Sequence, residues 1–94
     1  MASPQSLGNV LQEIIDRMGM REQIDGVHAV ETWAHIAGAQ INGNTERVWA
    51  NERKLYVQVR SSAWRQQLHL QRRDWLQRLN KELGKDVIDE IIFR

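Results

Sequence analysis

Cysteine is absent from this 94-residue chain, which excludes disulfide staples, thiolate nucleophiles and cysteine-ligated zinc, and suits a reducing compartment. The first ten residues, MASPQSLGNV, hold neither a basic leader nor an apolar segment, and every apolar run falls far short of the roughly 20 residues that span a bilayer. A soluble, cytosolic protein with no membrane association is expected. Catalytic signatures are missing as well: there is no nucleophile elbow, no phosphate loop and no zinc spacing. His28 and His35 share a helix face but lie two turns apart, about 10 Å, too far for one metal to bridge. His69 has only Asp74 nearby in sequence, poorly spaced on a helix. The chain reads as a non-enzyme without cofactor or metal. Its length permits one domain over residues 1–94 and one core.

The net charge of +1 conceals an asymmetry. Residues 1–44 carry two basic and five acidic groups, a net of −3, and residues 45–94 carry eleven and seven, a net of +4. The excess is greatest between Arg60 and Lys85, where seven Lys or Arg face only Asp74 and Glu82. Such a stretch attracts a polyanion or an acidic partner, or is simply a solvated helix face.

Hydrophobic spacing orders the chain. Ser3 and Pro4 read as a cap and first turn for an amphipathic helix within residues 1–20, with Leu7, Val10, Leu11, Ile14, Ile15 and Met18 at helical intervals. The remaining core spans residues 22–94. A second helix is predicted from Glu22 to Gly38, with Val27, Val30, Trp33, Ala34, Ile36 and Ala37 on its apolar side and His28, Glu31, Thr32 and His35 opposite. NGNT at 42–45 reads as a loop. Arg47–Ala50 and Leu55–Arg60 form a hairpin over a four-residue connection, pairing Ala50 with Leu55, Val48 with Val57, Trp49 with Tyr56 and Arg47 with Gln58. One sheet face is then apolar and the other basic and aromatic. Ser61 or Ser62 caps a long helix with Trp64, Leu68, Trp75, Leu79 and Leu83 on its buried stripe, ended by Gly84, and a last strand covers Val87–Phe93. The order α-α-β-β-α-β is a small sheet with helices packed on one face, of the α+β class.

Three tryptophans, Trp33, Trp64 and Trp75, fall in apolar stripes and read as core. Trp49 and Tyr56 fit either a packed cross-strand pair beneath a helix or a stacking platform for bases, flanked by Arg47 and Arg60. At the strand-to-helix corner, free N–H groups and the helix dipole join Arg60 and Arg65 in favouring an anion. Arg72, Arg73, Arg78 and Lys81 extend that potential, and the stem of Arg72 is placed to pack while its guanidinium reaches water. Candidate nucleic-acid contacts are therefore Arg47, Trp49, Tyr56, Arg60, Arg65, Arg72, Arg73, Arg78 and Lys81.

The segments ETWAHIAG, KLYVQVRSSAWRQQL, RLNKELG and the closing IIFR together resemble the DciA family of bacterial proteins, from about Ile24 to Arg94. That resemblance implies a KH-like fold and a non-enzymatic role in loading or operating a DnaB-type replicative helicase on single-stranded or fork DNA. Two departures stand out. The flexible extension found in other members is not seen here, and no Gly-x-x-Gly occurs, so the clamp of true KH domains is not carried over. An RNA-binding KH-like module, or a protein-interaction domain for an acidic partner, are the alternatives.

Overall fold

The computed structural model describes the backbone of residues 4–94 and, apart from residues 4–7 and 15, their side chains. The proposed cap at Ser3 and the side chains of Leu7 and Ile15 lie outside the described residues. Along the chain run α1 (Pro4–Arg17), α2 (Arg21–Gly43), β1 (Thr45–Asn51), β2 (Lys54–Val59), α3 (Ser62–Leu70), α4 (Arg72–Leu83) and β3 (Glu90–Phe93). The fold is α+β.

The sheet has the order β1-β2-β3. The β1–β2 pair is antiparallel with Ala50 opposite Leu55, Val48 opposite Val57, Trp49 opposite Tyr56 and Arg47 opposite Gln58, the register expected from the alternation. The connection is tighter than expected: Asn51 pairs with Lys54, leaving a two-residue turn in which Glu52 and Arg53 both take positive φ, 50° and 63°. Such φ pairs match the twist of a two-residue hairpin. β3 runs parallel to β2, with Leu55 opposite Ile91 and Val57 opposite Phe93. Parallel neighbours need a crossover, supplied here by α3 and α4.

The expected long helix after the corner is divided. Gln71, at φ −99° and ψ 11°, closes α3 and precedes α4, so the order becomes α-α-β-β-α-α-β. Neither Gly nor Pro marks the break; the Arg72 guanidinium donates to the His69 carbonyl at 2.9 Å, satisfying a group at the end of α3. The second helix, by contrast, continues past Gly38. That glycine adopts φ 82° and ψ 176° as a kink, and helical backbone resumes to Gly43, which takes Asn42 and Gly43 out of the expected loop. The last strand begins at Glu90, because Val87 and Ile88, buried ahead of it, give their backbone groups to the Asn80 side chain.

Inward-facing Leu55, Val57, Val59, Ile91 and Phe93 meet Ala29, Trp33 and Ile41 of α2, Leu68 of α3 and Trp75 and Leu79 of α4. Trp33 is wholly buried and stands edge-on to Trp75, with ring centroids 5.1 Å apart, and tilted to Phe93 at 5.7 Å. Its Nε1 meets no hydrogen-bond acceptor among the described residues, a cost offset by aromatic burial. Trp64 sits half-buried at the core margin. Val27, expected on the buried side of α2, is instead 56% exposed, because the helix turns Ala29 and Val30 toward the sheet. Ala34 is exposed too. On α1, Val10, Leu11 and Ile14 all face solvent, as does Met18 just beyond it. On the other side of α1, Gln12 and Asp16 accept from the guanidinium of Arg21, the first residue of α2, at 2.6 and 3.2 Å.

Candidate nucleic-acid interface

Strand alternation places Arg47, Trp49 and Tyr56 on the face opposite the buried Leu55 and Val57. The Trp49 and Tyr56 rings are nearly parallel, at 6°, with centroids 5.2 Å apart, an offset stack of the favoured kind. The Arg47 guanidinium lies 4.6 Å from the Trp49 centroid. Arg94 lies 4.8 Å from that of Tyr56. Both rings are half-buried and both arginines exposed, so what lies against the rings is guanidinium rather than a helix. A base can stack on an arginine plane as well as on an aromatic ring, and this run of four planar groups offers both. Arg94 was not among the residues expected from the sequence; its parity with Glu90 and Ile92 along β3 was the available signal.

At the corner, Ser61 caps α3, its hydroxyl accepting the Trp64 N–H at 3.3 Å. Arg60 turns toward the end of α2. Its guanidinium donates to the Gly43 carbonyl at 3.5 Å and stands 3.9 Å from Glu46, while Arg65 is half-buried on α3. Along α4, Arg78 lies on the Trp75 ring at 4.4 Å, and Arg73 and Lys81 point into solvent. Arg72, half-buried, is committed to the His69 carbonyl. Among the described residues, Arg65, Arg72, Arg73, Arg78 and Lys81 have no carboxylate within ion-pair distance. The candidate residues thus fall into two groups. Arg47, Trp49 and Tyr56 lie on the outer sheet face, and Arg65 to Lys81 lie on the helical layer that covers the inner face. Arg60 stands at the strand end between them.

Elsewhere the polar chemistry is structural. Arg53 in the hairpin turn grips Asp89 through two 3.0 Å bonds and the Asp86 carbonyl at 2.9 Å. The hydrogen-bonded guanidinium holds the Asp89 carboxyl below its ordinary range, and the carboxylate raises Arg53 in turn. Asn80 accepts the N–H groups of Val87 and Ile88, both at 3.1 Å, and donates to the Ile88 carbonyl at 2.8 Å. Among the described residues, no group of three or more His, Asp or Glu could hold a metal ion, and no helix is long and apolar enough to cross a membrane.

Fold and surface together define a small α+β domain whose outer sheet face is aromatic and cationic and whose α3–α4 layer carries a row of cations. The chain belongs to the DciA family: the family model described as "Dna(CI) antecedent, DciA" matches residues 6–93. That match reaches back into α1, further than the resemblance from about Ile24. A UPF0232 protein of Corynebacterium glutamicum (strain R) is 31% identical over 87 residues, covering 93% of this chain and 49% of that protein. UPF0232 proteins of Mycobacterium leprae, strains Br4923 and TN, are each 27% identical over 88 residues, covering 94% of this chain and 47% of theirs. The chain spans about half the length of these relatives. DciA is a family of accessory proteins associated with helicase loading, not a known enzyme class.

Proposed function

We propose that this chain is a non-enzymatic accessory domain of bacterial DNA replication, acting in the cytoplasm, that helps load or operate a DnaB-type replicative helicase and binds DNA weakly. Family membership supplies the helicase. The observation that carries the DNA contact is the set of five cations, Arg65, Arg72, Arg73, Arg78 and Lys81, without carboxylate partners among the described residues. Cations without a carboxylate along a helical layer hold their charge for counterions or phosphates, most openly at the exposed Arg73 and Lys81. A KH-like reading of the fold belongs with this proposal, with the Trp49–Tyr56 face in place of the absent Gly-x-x-Gly clamp as the surface for bases.

The test is a titration of purified DnaB-type helicase into the labelled full chain, with and without single-stranded DNA. A complex with helicase that also retains the strand is expected. Binding to helicase with no strand affinity at low salt would leave a protein-interaction domain and remove the DNA contact; binding to neither would overturn the proposal. Preference for RNA over DNA of the same sequence would favour an RNA-binding module.

A further inference from the structure

A cleft of ≈ 1000 Å³ opens between the first half of α2 and the β1–β2 turn, away from the cationic helical layer and meeting the outer sheet face only at Trp49 on its border. Its floor is apolar, with Val30, Val48 and Ala50 half-buried above the buried Val87 and Ile88. Val27 stands at its lip, 56% exposed. Gly26 favours the convergence of its walls: a Cβ there would come within 3.3 Å of that of Ala50, so a side chain at this position would press α2 and β1 apart by a few tenths of an ångström.

The charges of the rim settle what fits. Arg21 is engaged by Gln12 and Asp16, Arg53 by Asp89, and Asp25 by Lys85 at 3.1 Å. Glu22, Glu31 and Glu52, also at the rim, form no ion pair among the described residues. After internal pairing the mouth retains three carboxylates around an apolar floor and no cation without a partner. Phosphate is repelled from such a surface, and an apolar row flanked by positive charge is attracted.

We propose that this cleft is a protein-docking site for a cationic amphipathic helix of a partner, its apolar row on Val27, Val30 and Ala50 and its lysines or arginines against Glu22, Glu31 and Glu52. Short valine and alanine side chains leave depth for leucine-sized knobs at i, i+4 and i+7, the anchors of helix-in-groove recognition. The asymmetry of charge along the chain fits this site in part: two of its three free carboxylates, Glu22 and Glu31, belong to the acidic residues 1–44. The site stands whichever protein the partner is, helicase included.

The experiment uses the isotope-labelled full chain and two synthetic helical peptides with one leucine row, flanked by lysine in the first and glutamate in the second. The lysine peptide is expected to shift the resonances of Val27, Val30 and Ala50. Its affinity should fall about tenfold in Val27→Asp and in the double variant Glu22→Lys, Glu31→Lys, since each removes a matched interaction at an exposed position. Circular dichroism checks that both variants remain folded, and their single-strand affinity should not fall, which separates this site from the DNA contact. No binding of the lysine peptide, equal binding of the glutamate peptide, shifts confined to α3 and α4, or full affinity in Val27→Asp would each overturn the assignment.

Discussion

The side chain of Asn80 is a half-buried amide whose three hydrogen bonds all go to the backbone of residues 87 and 88, the segment that delivers β3 to the sheet. Removing it leaves two N–H groups and a carbonyl short of partners beside the core. Asn80→Ala should therefore cost about 2 kcal/mol, a fall in melting midpoint of roughly 10 °C for a domain of this size. Asn80→Asp, which keeps the acceptor and loses the donor, should fall between. A midpoint for Asn80→Ala within a degree or two of wild type would show that water replaces the amide. Arg53 and Asp89 make the second residue-scale clamp, and its sign with pH follows from the direction of the shift. The Asp89 pKa is lowered in the folded chain, so its contribution is present above the unfolded carboxyl value of about 3.9 and is lost as pH falls through the folded value. Both side chains are substantially exposed, so the effect is small. Thermal melts between pH 7 and pH 2 should show Asp89→Asn less acid-sensitive than wild type; parallel curves would mean that the pair contributes nothing. Neither clamp was legible as such in the sequence, since Asn80 falls outside the apolar stripe of its helix and Asp89 falls within the strand expected over Val87–Phe93.

Among the elements, α1 is the one whose stability the rest of the chain does least to support. Its Val10, Leu11 and Ile14 remain in water, its bonds to Arg21 are between exposed groups, and fourteen residues are marginal as an isolated helix. Deleting residues 1–18 should leave the melting midpoint within about 3 °C, and amide exchange along α1 should be the fastest of any helix. A large fall in midpoint on deletion would place α1 against the core. Periodicity predicted the helix and could not predict its uncovered face, because amphipathic spacing records a need for burial without naming the cover. The hairpin was the most legible element: strict alternation in Leu55–Arg60 fixed the register, since a slip of one residue would turn Val57 outward and Tyr56 inward. Boundaries failed where local chemistry overrode composition. Gly38 punctuates α2 without ending it, and the helix after Ser61 breaks at Gln71 with no Gly or Pro to announce it.

The whole molecule extends 57 Å along one axis and 21 Å along the others, with a radius of gyration of 15.6 Å, against about 12 Å for a compact chain of this length. α1, whose Val10, Leu11 and Ile14 stay in solvent, contributes no residue to the core. On the remaining body, the sheet separates two surfaces, each legible in the sequence as a set of residues. Their division was not, because helical and strand periodicities fix a face within each element and leave open how elements are layered. The layering predicts two energetic signatures. Arg73 and Lys81 act only through charge, so replacing both by Gln should weaken single-strand binding and lower the salt slope by roughly 1.4, about 0.7 for each phosphate that is no longer neutralised. Trp49 acts through its ring, so Trp49→Ala should cost about 1–3 kcal/mol of affinity in the folded fraction with the slope unchanged. Because the two sets share no partners across the sheet, the triple variant should show the sum of the two losses to within about 0.5 kcal/mol. Fluorescence titrations of one labelled oligonucleotide at several salt concentrations measure all three quantities. A Trp49→Ala chain that melts earlier yet binds as tightly as wild type would make the stacked pair a structural element of the sheet, with the arginines as its cover against water, and would leave the helical layer as the DNA surface.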